Sequence, residues 1–345
     1  MAASGIEVQC AVKKATAWGT AVACGAGNGI LILPSGVKKS RGSNVDDSLG
    51  LFFPTESDPG EIKAEGDLKA YLRYDSLDLL IALAMGATGG APTQQGATTA
   101  YAQKFTLADN LDALFATLCV NNGVNIDEVT SAKVAGFTLK GDVGKPLEIT
   151  FSVIGNDRIT GSVVNTLVTF ADVTYAESGN RVLYSHGVCR MNDQTGIALA
   201  SGDKIYPSGF ELSYKRKMSG IYGAGGSFDV IDEPTNDGIP DIKLKLDFPR
   251  YTSAEYFTDW EANTAKKLDF TFTGGLIAST YYRTFKLSFP NLKYASVDLP
   301  IVAGILKQPI EFNVLGCSAA PAGMTGITRP FQIDVINQED ADVLA

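Results

Sequence analysis

Residues whose chemistry could support catalysis or metal binding are few in this chain and poorly grouped. Its one histidine, His186, stands three residues before Cys189, a spacing that two zinc ligands can share. A tetrahedral site needs a second pair of ligands, and the chain has no other histidine and no C-x-x-C pair. No G-x-S-x-G segment supplies a nucleophile either. These features argue against a metal site and against histidine-based hydrolysis.

Two glycine clusters and one acidic segment resemble binding loops in composition alone. The clusters, Gly25–Gly29 and Gly220–Gly226, lack the G-K-[ST] of a phosphate-binding loop. The acidic segment, Asp232–Gly238, has Pro234 where a calcium loop alternates its ligands, and no glutamate closes it. We interpret the segment as a turn. We expect no enzyme activity, no cofactor and no metal ion.

The net charge and the cysteines indicate which partners and which cellular environment the protein has. The 345 residues contain 29 Lys and Arg against 38 Asp and Glu, a formal net charge of −9, which argues against tight binding to nucleic acid. The five cysteines are odd in number and far apart, which predicts reduced, mostly buried thiols and assembly in a cytoplasm. They are Cys10, Cys24, Cys119, Cys189 and Cys317.

The N-terminal residues lack the basic residues and apolar run of a signal peptide, so we expect no export by that route. The densest apolar stretch, Leu77–Met85, is about half a membrane span, so we expect no membrane anchor. Length and a high glycine content predict about two loop-rich domains rather than a disordered chain.

Several segments alternate apolar and polar residues with a period of two, which predicts strands with one buried face. We therefore expect a mainly β protein with antiparallel sheets. The alternating sets are Ile149, Phe151 and Val153; Ile242, Leu244, Leu246 and Phe248; Leu268, Phe270 and Phe272; and Phe285, Leu287 and Phe289.

Short motifs recur in the same order along the two halves of the chain, which predicts tandem copies of one domain. A Pro-Ser-Gly turn, an Arg-Tyr pair and a strand ending in glycine each recur 161 to 177 residues later. We place the copies at residues 1–175 and 180–345, with the boundary in the polar stretch 174–180. The alternative is that the two halves are unrelated and resemble each other only because turns and alternating strands use similar residues in many proteins. The signature residues are Pro34, Ser35, Gly36, Tyr74 and Gly155, matched by Pro207, Ser208, Gly209, Tyr251 and Gly316.

One helix is predicted in each half. Thr252 and Glu255 have the spacing of a capping box, Asp75 and Asp78 offer a weaker acidic start, and Gly86 is a plausible C-cap. The first helix, residues 77–85, is apolar nearly all round and must be covered on more than one side. Its cover is either the sheet and loops of its own chain or a neighbouring subunit.

Each half also contains a long segment that we interpret as an irregular arm, at residues 40–59 and 219–237. Loops of this length in a compact domain usually have a function. Their aromatic and apolar residues either contact a partner or fold back onto their own domain. The candidate contact residues are Leu51, Phe52 and Phe53 in the first arm, and Tyr222, Phe228 and Val230 in the second.

The order of these elements resembles the major tail tube proteins of long-tailed bacteriophages. The resemblance rests on the Pro-Ser-Gly strand, the long loop, the helix after Tyr74-Asp75-Ser76, the segment Ala132–Leu139 and the closing Gly144–Leu147. It covers nearly all of the first half and the second half more loosely. The second half lacks the Gly-Ala-Thr loop and is shorter after its helix.

This resemblance implies two tandem antiparallel β-sandwich or half-barrel domains, each with one flanking helix, in rings that stack as a hollow tube. Similar tubes use six such domains per ring, so two domains per chain imply a homotrimer with pseudo-sixfold symmetry. The resemblance also implies ring-to-ring contact through the long arms. The implied location is the virion tail, with the tape measure, terminator and tip proteins as partners and DNA passing through without specific binding.

The net charge suggests how such a tube would work. Three chains carry about −27 per ring, three times the −9 of one chain, and acidic groups in the bore would keep DNA from adhering. Three other functions stay open. These are a terminator or hub ring that does not polymerise, a monomeric β-barrel that binds a small ligand, and a cell-surface filament subunit, which the missing export signal disfavours.

Overall fold

A computed structural model describes residues 7–50, 52–176, 179–223, 229–297 and 304–345. The chain is mainly β, with 47% of its residues in strands and 8% in helices, and the strands form a large antiparallel sheet. This confirms the predicted fold class, a β-rich sandwich with few helices.

The first half contributes eleven described strands and two helices. The strands are β1 (Gln9–Lys14), β2 (Gly29–Ile30), β3 (Gly36–Val45), β4 (Ser57–Tyr71), β5 (Gly86–Ala87), β6 (Thr93–Gln94), β7 (Tyr101–Leu107), β8 (Ala116–Asn121), β9 (Ile126–Asp142), β10 (Glu148–Gly155) and β11 (Arg158–Thr160); the helices are α1 (Asp78–Met85) and α2 (Leu167–Phe170).

The second half contributes eight described strands and one α-helix. They are β12 (Gly187–Asp193), β13 (Lys204–Ile205), β14 (Gly209–Lys215), β15 (Asp241–Phe248), α3 (Glu255–Glu261), β16 (Ala265–Ala278), β17 (Tyr281–Val297), β18 (Gln308–Val314) and β19 (Gln332–Asn337). The side chains of the predicted alternating sets lie in the core, as the period of two requires.

The two halves pair their strands in the same order. In the first half, β2, β1, β8 and β9 are neighbours, and the long strand β9 also pairs with β11 and with β10, which continues to β4 and β3. In the second half, β13, β12, β16 and β17 are neighbours, and β17 also pairs with β19 and with β18, which continues to β15 and β14.

The halves join where the carboxyl-terminal part of β9 pairs with β14, from Gly136↔Lys215 to Asp142↔Gly209. We call the resulting eight strands, β3–β4–β10–β9–β14–β15–β18–β17, the inner sheet. Gly136 makes the joint possible, because its φ is +156° and a Cβ there would lie 2.1 Å from the Tyr214 carbonyl oxygen. A second joint pairs β7 with β19.

Aromatic rings from both halves meet in one core beneath this joint. Phe137 of β9 packs edge-on against Tyr214 of β14, at 5.6 Å between centroids, and against Phe331, at 6.2 Å. All three side chains are buried. Burying one such side chain contributes about 1.5–3 kcal/mol to the free energy of unfolding. Because these rings come from both halves, their burial stabilises the contact between the halves.

Helix α1 is covered by its own chain. It begins one residue after the predicted start and ends at Gly86, whose φ of 97° is the left-handed C-cap conformation. The second half supplies part of the cover, because the Tyr214 hydroxyl donates to the Ala84 carbonyl at 3.1 Å and Asn337 Nδ2 donates to the Asp78 carboxylate at 2.7 Å. The first of the two alternatives for this helix is therefore correct within the described residues.

Three local predictions are wrong. The first half has a second short helix, α2, where only one helix per half was predicted. The capping box at Thr252 does not form, since α3 begins at Glu255 after Ala254 and has no side-chain cap. The chain before it is held instead by the Tyr251 N–H, which donates to the Leu306 carbonyl at 2.8 Å. The first arm is not irregular, because β3 and β4 pair as far as Val45↔Ser57 and the ladder satisfies their backbone groups.

Asp78 makes the stability of the fold dependent on pH. Burial raises the pKa of this carboxyl to about 7, and the nearby charges of Asp75 and Glu339 act in the same direction, while the Asn337 hydrogen bond lowers it. The folded protein holds the Asp78 proton more tightly than the unfolded chain does. The free energy of unfolding therefore falls as pH rises from the pKa of the unfolded state, near 4, to that of the folded state, about 7.

We therefore expect the unfolding temperature of Asp78→Asn, relative to that of wild type, to rise steadily from pH 5 to about pH 7 and then to level off, because an amide keeps the acceptor without the buried charge. Thermal unfolding followed by circular dichroism between pH 5 and 8 measures the difference. The exposed carboxylate variant Asp58→Asn is the control and should show no such trend. A difference between Asp78→Asn and wild type that is constant across this range contradicts the argument.

Candidate functional site

The residues with catalytic or metal-binding potential have structural roles. His186 Nδ1 lies 3.1 Å from the Tyr74 hydroxyl and its ring stacks on the Tyr74 ring, which links the second half to the first. Cys189 is buried in β12, and burial raises the pKa of its thiol. Within the described ranges, no group of three or more His, Cys, Asp or Glu side chains is arranged to hold a metal ion.

The five cysteines are free thiols, four of them buried and Cys317 half-buried. Cys24 and Cys119 approach within 4.0 Å between sulfur atoms in a small second core cluster. Burial also raises the pKa of the Cys10 thiol, so it is an unreactive core side chain.

The first arm is an exposed β-hairpin with an apolar tip. From Lys38 to Val45, every residue of β3 is exposed. At the tip, Phe52 is 96% exposed and Phe53 is 81% exposed, and Leu49 is fully exposed as well. Leu51, the third predicted contact residue, lies outside the described residues. Large apolar side chains grouped at the end of a hairpin are typical of a contact surface.

The described residues of the second arm, 219–223 and 229–237, fold back onto their own chain. Val230 is 5% exposed and, with Tyr222, packs around Gly220. Ile221 and Asp232 form an isolated antiparallel bridge across the arm. Phe228 lies outside the described residues. The role of Tyr222 and Val230 in contacts between rings stays a prediction, and Val230 is covered within the single chain.

A buried ion pair anchors the second arm to the first half. Lys133 of β9 is buried, and its ammonium group donates to the Leu111 carbonyl at 2.8 Å and to the Glu233 carboxylate. Glu233 also accepts from the Ala113 N–H at 3.1 Å. The acidic segment around Glu233 is therefore engaged by a lysine rather than arranged around a cation.

The repeat signature residues do not form a site together, because they belong to the two halves separately. Gly36 and Gly209 begin β3 and β14. Before them, the Ser35 hydroxyl accepts from the Lys69 N–H of β4 at 2.8 Å, and the Ser208 hydroxyl donates to the Asp247 carbonyl of β15 at 2.9 Å.

The other signature pairs also lie at matching places in the two halves. Tyr74 precedes α1 and Tyr251 precedes α3, with Tyr74 buried and Tyr251 partly exposed. Gly155 is the last residue of β10, and Gly316 comes two residues after β18. Pro34 and Pro207 each precede the turn serine. These residues lie at turns, before helices and at or near strand ends.

The side of the inner sheet that faces away from the core, which we call the polar face, carries charges of both signs. Three ion pairs lie on it, Lys140–Glu211 at 3.0 Å, Lys243–Glu311 at 2.8 Å and Lys245–Asp247 at 3.2 Å. Its charged residues on strands β4, β10, β9, β14, β15 and β18 include the lysines 69, 140, 215, 243 and 245 and the acids Asp67, Asp142, Glu148, Glu211, Asp241, Asp247 and Glu311. Among these named residues, seven are carboxylates and five are lysines.

An exposed aromatic surface on α3 was not predicted from the sequence. Phe257 and Trp260 are 42% and 41% exposed, and their ring centroids lie 5.4 Å apart. None of the residues of α3 is buried, in contrast to α1. The signal that could have indicated this surface is the spacing of three between Phe257 and Trp260, which places both rings on one side of the short helix.

None of the helices in the described part of the chain has the length and hydropathy to cross a membrane. Among protein families, the one described as phage tail tube protein matches residues 5–330. A search of curated proteins gave no match. The family match agrees with the resemblance drawn from the sequence and with the β-rich fold.

The ion pair of the second arm can be tested by removing one partner. We expect Glu233→Gln to destabilise the protein by about 3–5 kcal/mol, because it leaves the buried Lys133 ammonium without its counter-charge. The double variant Lys133→Met with Glu233→Gln should recover most of that loss. Urea unfolding measures both, and equal stability of Glu233→Gln and wild type would mean that the arm is not anchored by this pair.

Proposed function

Because the chain belongs to the phage tail tube protein family, we propose that it forms rings that stack into a hollow tube through which DNA leaves the virion. Its place is the virion tail and its role is structural. The observation that carries the proposal is the inner sheet, which runs without interruption from one half of the chain to the other. A sheet of this kind can serve as a segment of a continuous wall.

The first part of the proposal is that residues 1–175 and 180–345 are two copies of one domain. The identical order of strand pairing in the two halves supports it. The matching places of the Pro-Ser-Gly turns support it as well, because both turns are held by the strand that follows the arm. Duplication would then explain why one chain contains its own domain-to-domain joint.

The second part is that three chains form each ring. The family resemblance implies six domains per ring, so two domains per chain would give three chains and a pseudo-sixfold wall. Negative-stain microscopy of the purified protein over a range of concentrations tests this directly. Stacked rings with three chains each are the expected result. Single rings at all concentrations would favour a terminator or hub protein, and monomers would contradict the proposal.

The third part concerns the bore. We propose that the polar face lines it, since the opposite face of the inner sheet packs in the core. Three of its lysines are paired with carboxylates, so DNA phosphates would meet lysines whose charges are already balanced by neighbouring carboxylates. Such a surface offers no continuous cationic strip that could hold the DNA by counterion release. The tape measure, terminator and tip proteins remain the proposed partners.

Stacking between rings is proposed to depend on the first arm. We expect the double variant Phe52→Ser with Phe53→Ser to form rings but no tubes, because it removes the exposed apolar tip. Electron microscopy and sedimentation of the assembled protein give the measurement. The matched control is Tyr206→Ser, which removes another exposed aromatic, at 77%, away from the arm. Tubes of normal length from the Phe52 and Phe53 variant would refute the assignment.

The charge of the bore is tested by reversing three acids of the polar face. We expect Glu148→Lys, Glu211→Lys and Glu311→Lys together to slow or block DNA delivery, because the face becomes cationic and retains phosphates. Ejection rates of assembled particles at low and high salt provide the readout, and high salt should relieve the defect. The control combines three exposed acids outside the face. Unchanged ejection at low salt would count against a bore lined by this face.

A further inference from the structure

The joint between the two halves of the chain is formed by three strands and one helix. On one side of it are the end of β9 and the helix α1 beside it, and on the other side are β14 and β19. Strand β14 continues along the edge of β9 at the point where β8 stops, since β8 pairs with β9 only as far as Ala132. Helix α1 is then covered by Tyr214 and Asn337 of the second half.

The far end of the inner sheet repeats the first side of this joint without a partner. Strand β17 takes the place of β9, and its neighbour β16 stops at Lys293. Beyond that point, among the residues that the structure describes, Tyr294–Val297 pair with β18 alone. Helix α3 lies beside this end, because the Tyr294 hydroxyl contacts the Asp259 carboxylate at 3.4 Å. The aromatic pair Phe257 and Trp260 on α3 remains exposed where the corresponding helix α1 is covered.

The near end of the inner sheet repeats the other side of the joint. Strand β3 takes the place of β14, and in the described ranges no strand other than β4 pairs with it. Strand β11 takes the place of β19, and Ile159 on it is 42% exposed. Between them lies an apolar cavity of about 440 Å³ lined by Val37, Leu68, Leu118, Val120 and Val129, with the Arg158 guanidinium bonded to the Val37 carbonyl at its rim.

From these two ends we infer that the chain binds a second copy of itself head to tail, with the end of β17 against the edge of β3 and the Phe257–Trp260 pair at the cavity between β3 and β11. This inference rests on the proposed ring and names the surfaces that close it. A second copy is the occupant that the structure favours, because both complementary surfaces are on one chain and the internal joint already displays their geometry.

Contact between these two surfaces of neighbouring copies would be favourable for two physical reasons. A free edge strand exposes unpaired backbone donors and acceptors, and pairing with another strand satisfies them. The half-exposed aromatic pair and the open apolar cavity each lose water contact when they meet. Since the two surfaces differ, the contact is heterologous, and it closes into a ring when three copies complete the rotation.

Substitution on α3 tests the contact. We expect the double variant Phe257→Glu with Trp260→Glu to lower the fraction of protein in rings at least tenfold at a fixed concentration, as measured by mass photometry. Its circular dichroism should match wild type, since both side chains lie at the surface. The matched control is Tyr282→Glu at the opposite end of β17, where the aromatic is 47% exposed. The control should leave ring formation unchanged.

Photo-crosslinking gives a readout that does not depend on loss of assembly. We would replace Trp260 with p-benzoylphenylalanine, mix the labelled protein with ¹⁵N-labelled wild type, irradiate, and identify the joined peptides by mass spectrometry. The expected cross-links connect Trp260 of one copy to residues 36–45 or 158–160 of another copy. Cross-links confined to one chain, or to other regions, would overturn the inference.

The outcomes separate this inference from the proposed function. If wild type forms rings and tubes while the glutamate variant also forms them, the named surfaces are wrong and the tube function stands. If wild type forms no rings at any concentration, the proposed function and the inference both fail. Loss of rings in the variant together with the expected cross-links supports both.

Discussion

The backbone pairing of β9 with β14 is the contact on which the rest of the structure depends. It fuses two sheets into one inner sheet and brings Phe137 of the first half against Tyr214 and Phe331 of the second. The ladder needs a glycine at position 136, because any side chain there would collide with the Tyr214 carbonyl. With the joint closed, the two halves have one continuous core and a fixed relative register.

The joint also explains why two corresponding helices differ. The apolar sequence of α1 is stable because Tyr214 and Asn337 of the second half cover it, whereas α3 keeps a polar sequence with an aromatic pair on its surface. Buried ionisable groups accompany these contacts. Asp78 meets Asn337 under the helix, and Lys133 meets Glu233 under the second arm. Both contacts satisfy buried polar groups of one half with groups of the other, and separating the halves would leave those groups without these partners.

The two arms show that segments with similar sequence features adopt different structures when their tertiary contacts differ. Both arms are long and carry apolar residues, and sequence alone left open whether they reach a partner or fold back. The first extends as a paired hairpin with Phe52 and Phe53 exposed, because β3 and β4 continue their ladder beyond the domain. The second is drawn back by Glu233, since Lys133 would otherwise be a buried and unpaired charge.

Sequence by itself determined the β-rich class, the alternating buried faces, the helix ending at Gly86, the absence of a recognisable catalytic motif and the resemblance to tail tube proteins. These features depend on local periodicity, on turn residues and on residue types, which are readable along the chain. The start of α3, the ladder within the first arm, the partner of Glu233 and the exposure of Phe257 and Trp260 were decided by tertiary structure alone. Each depends on residues far apart in sequence that meet only after the strands have paired, and no local pattern encodes which of them will be neighbours.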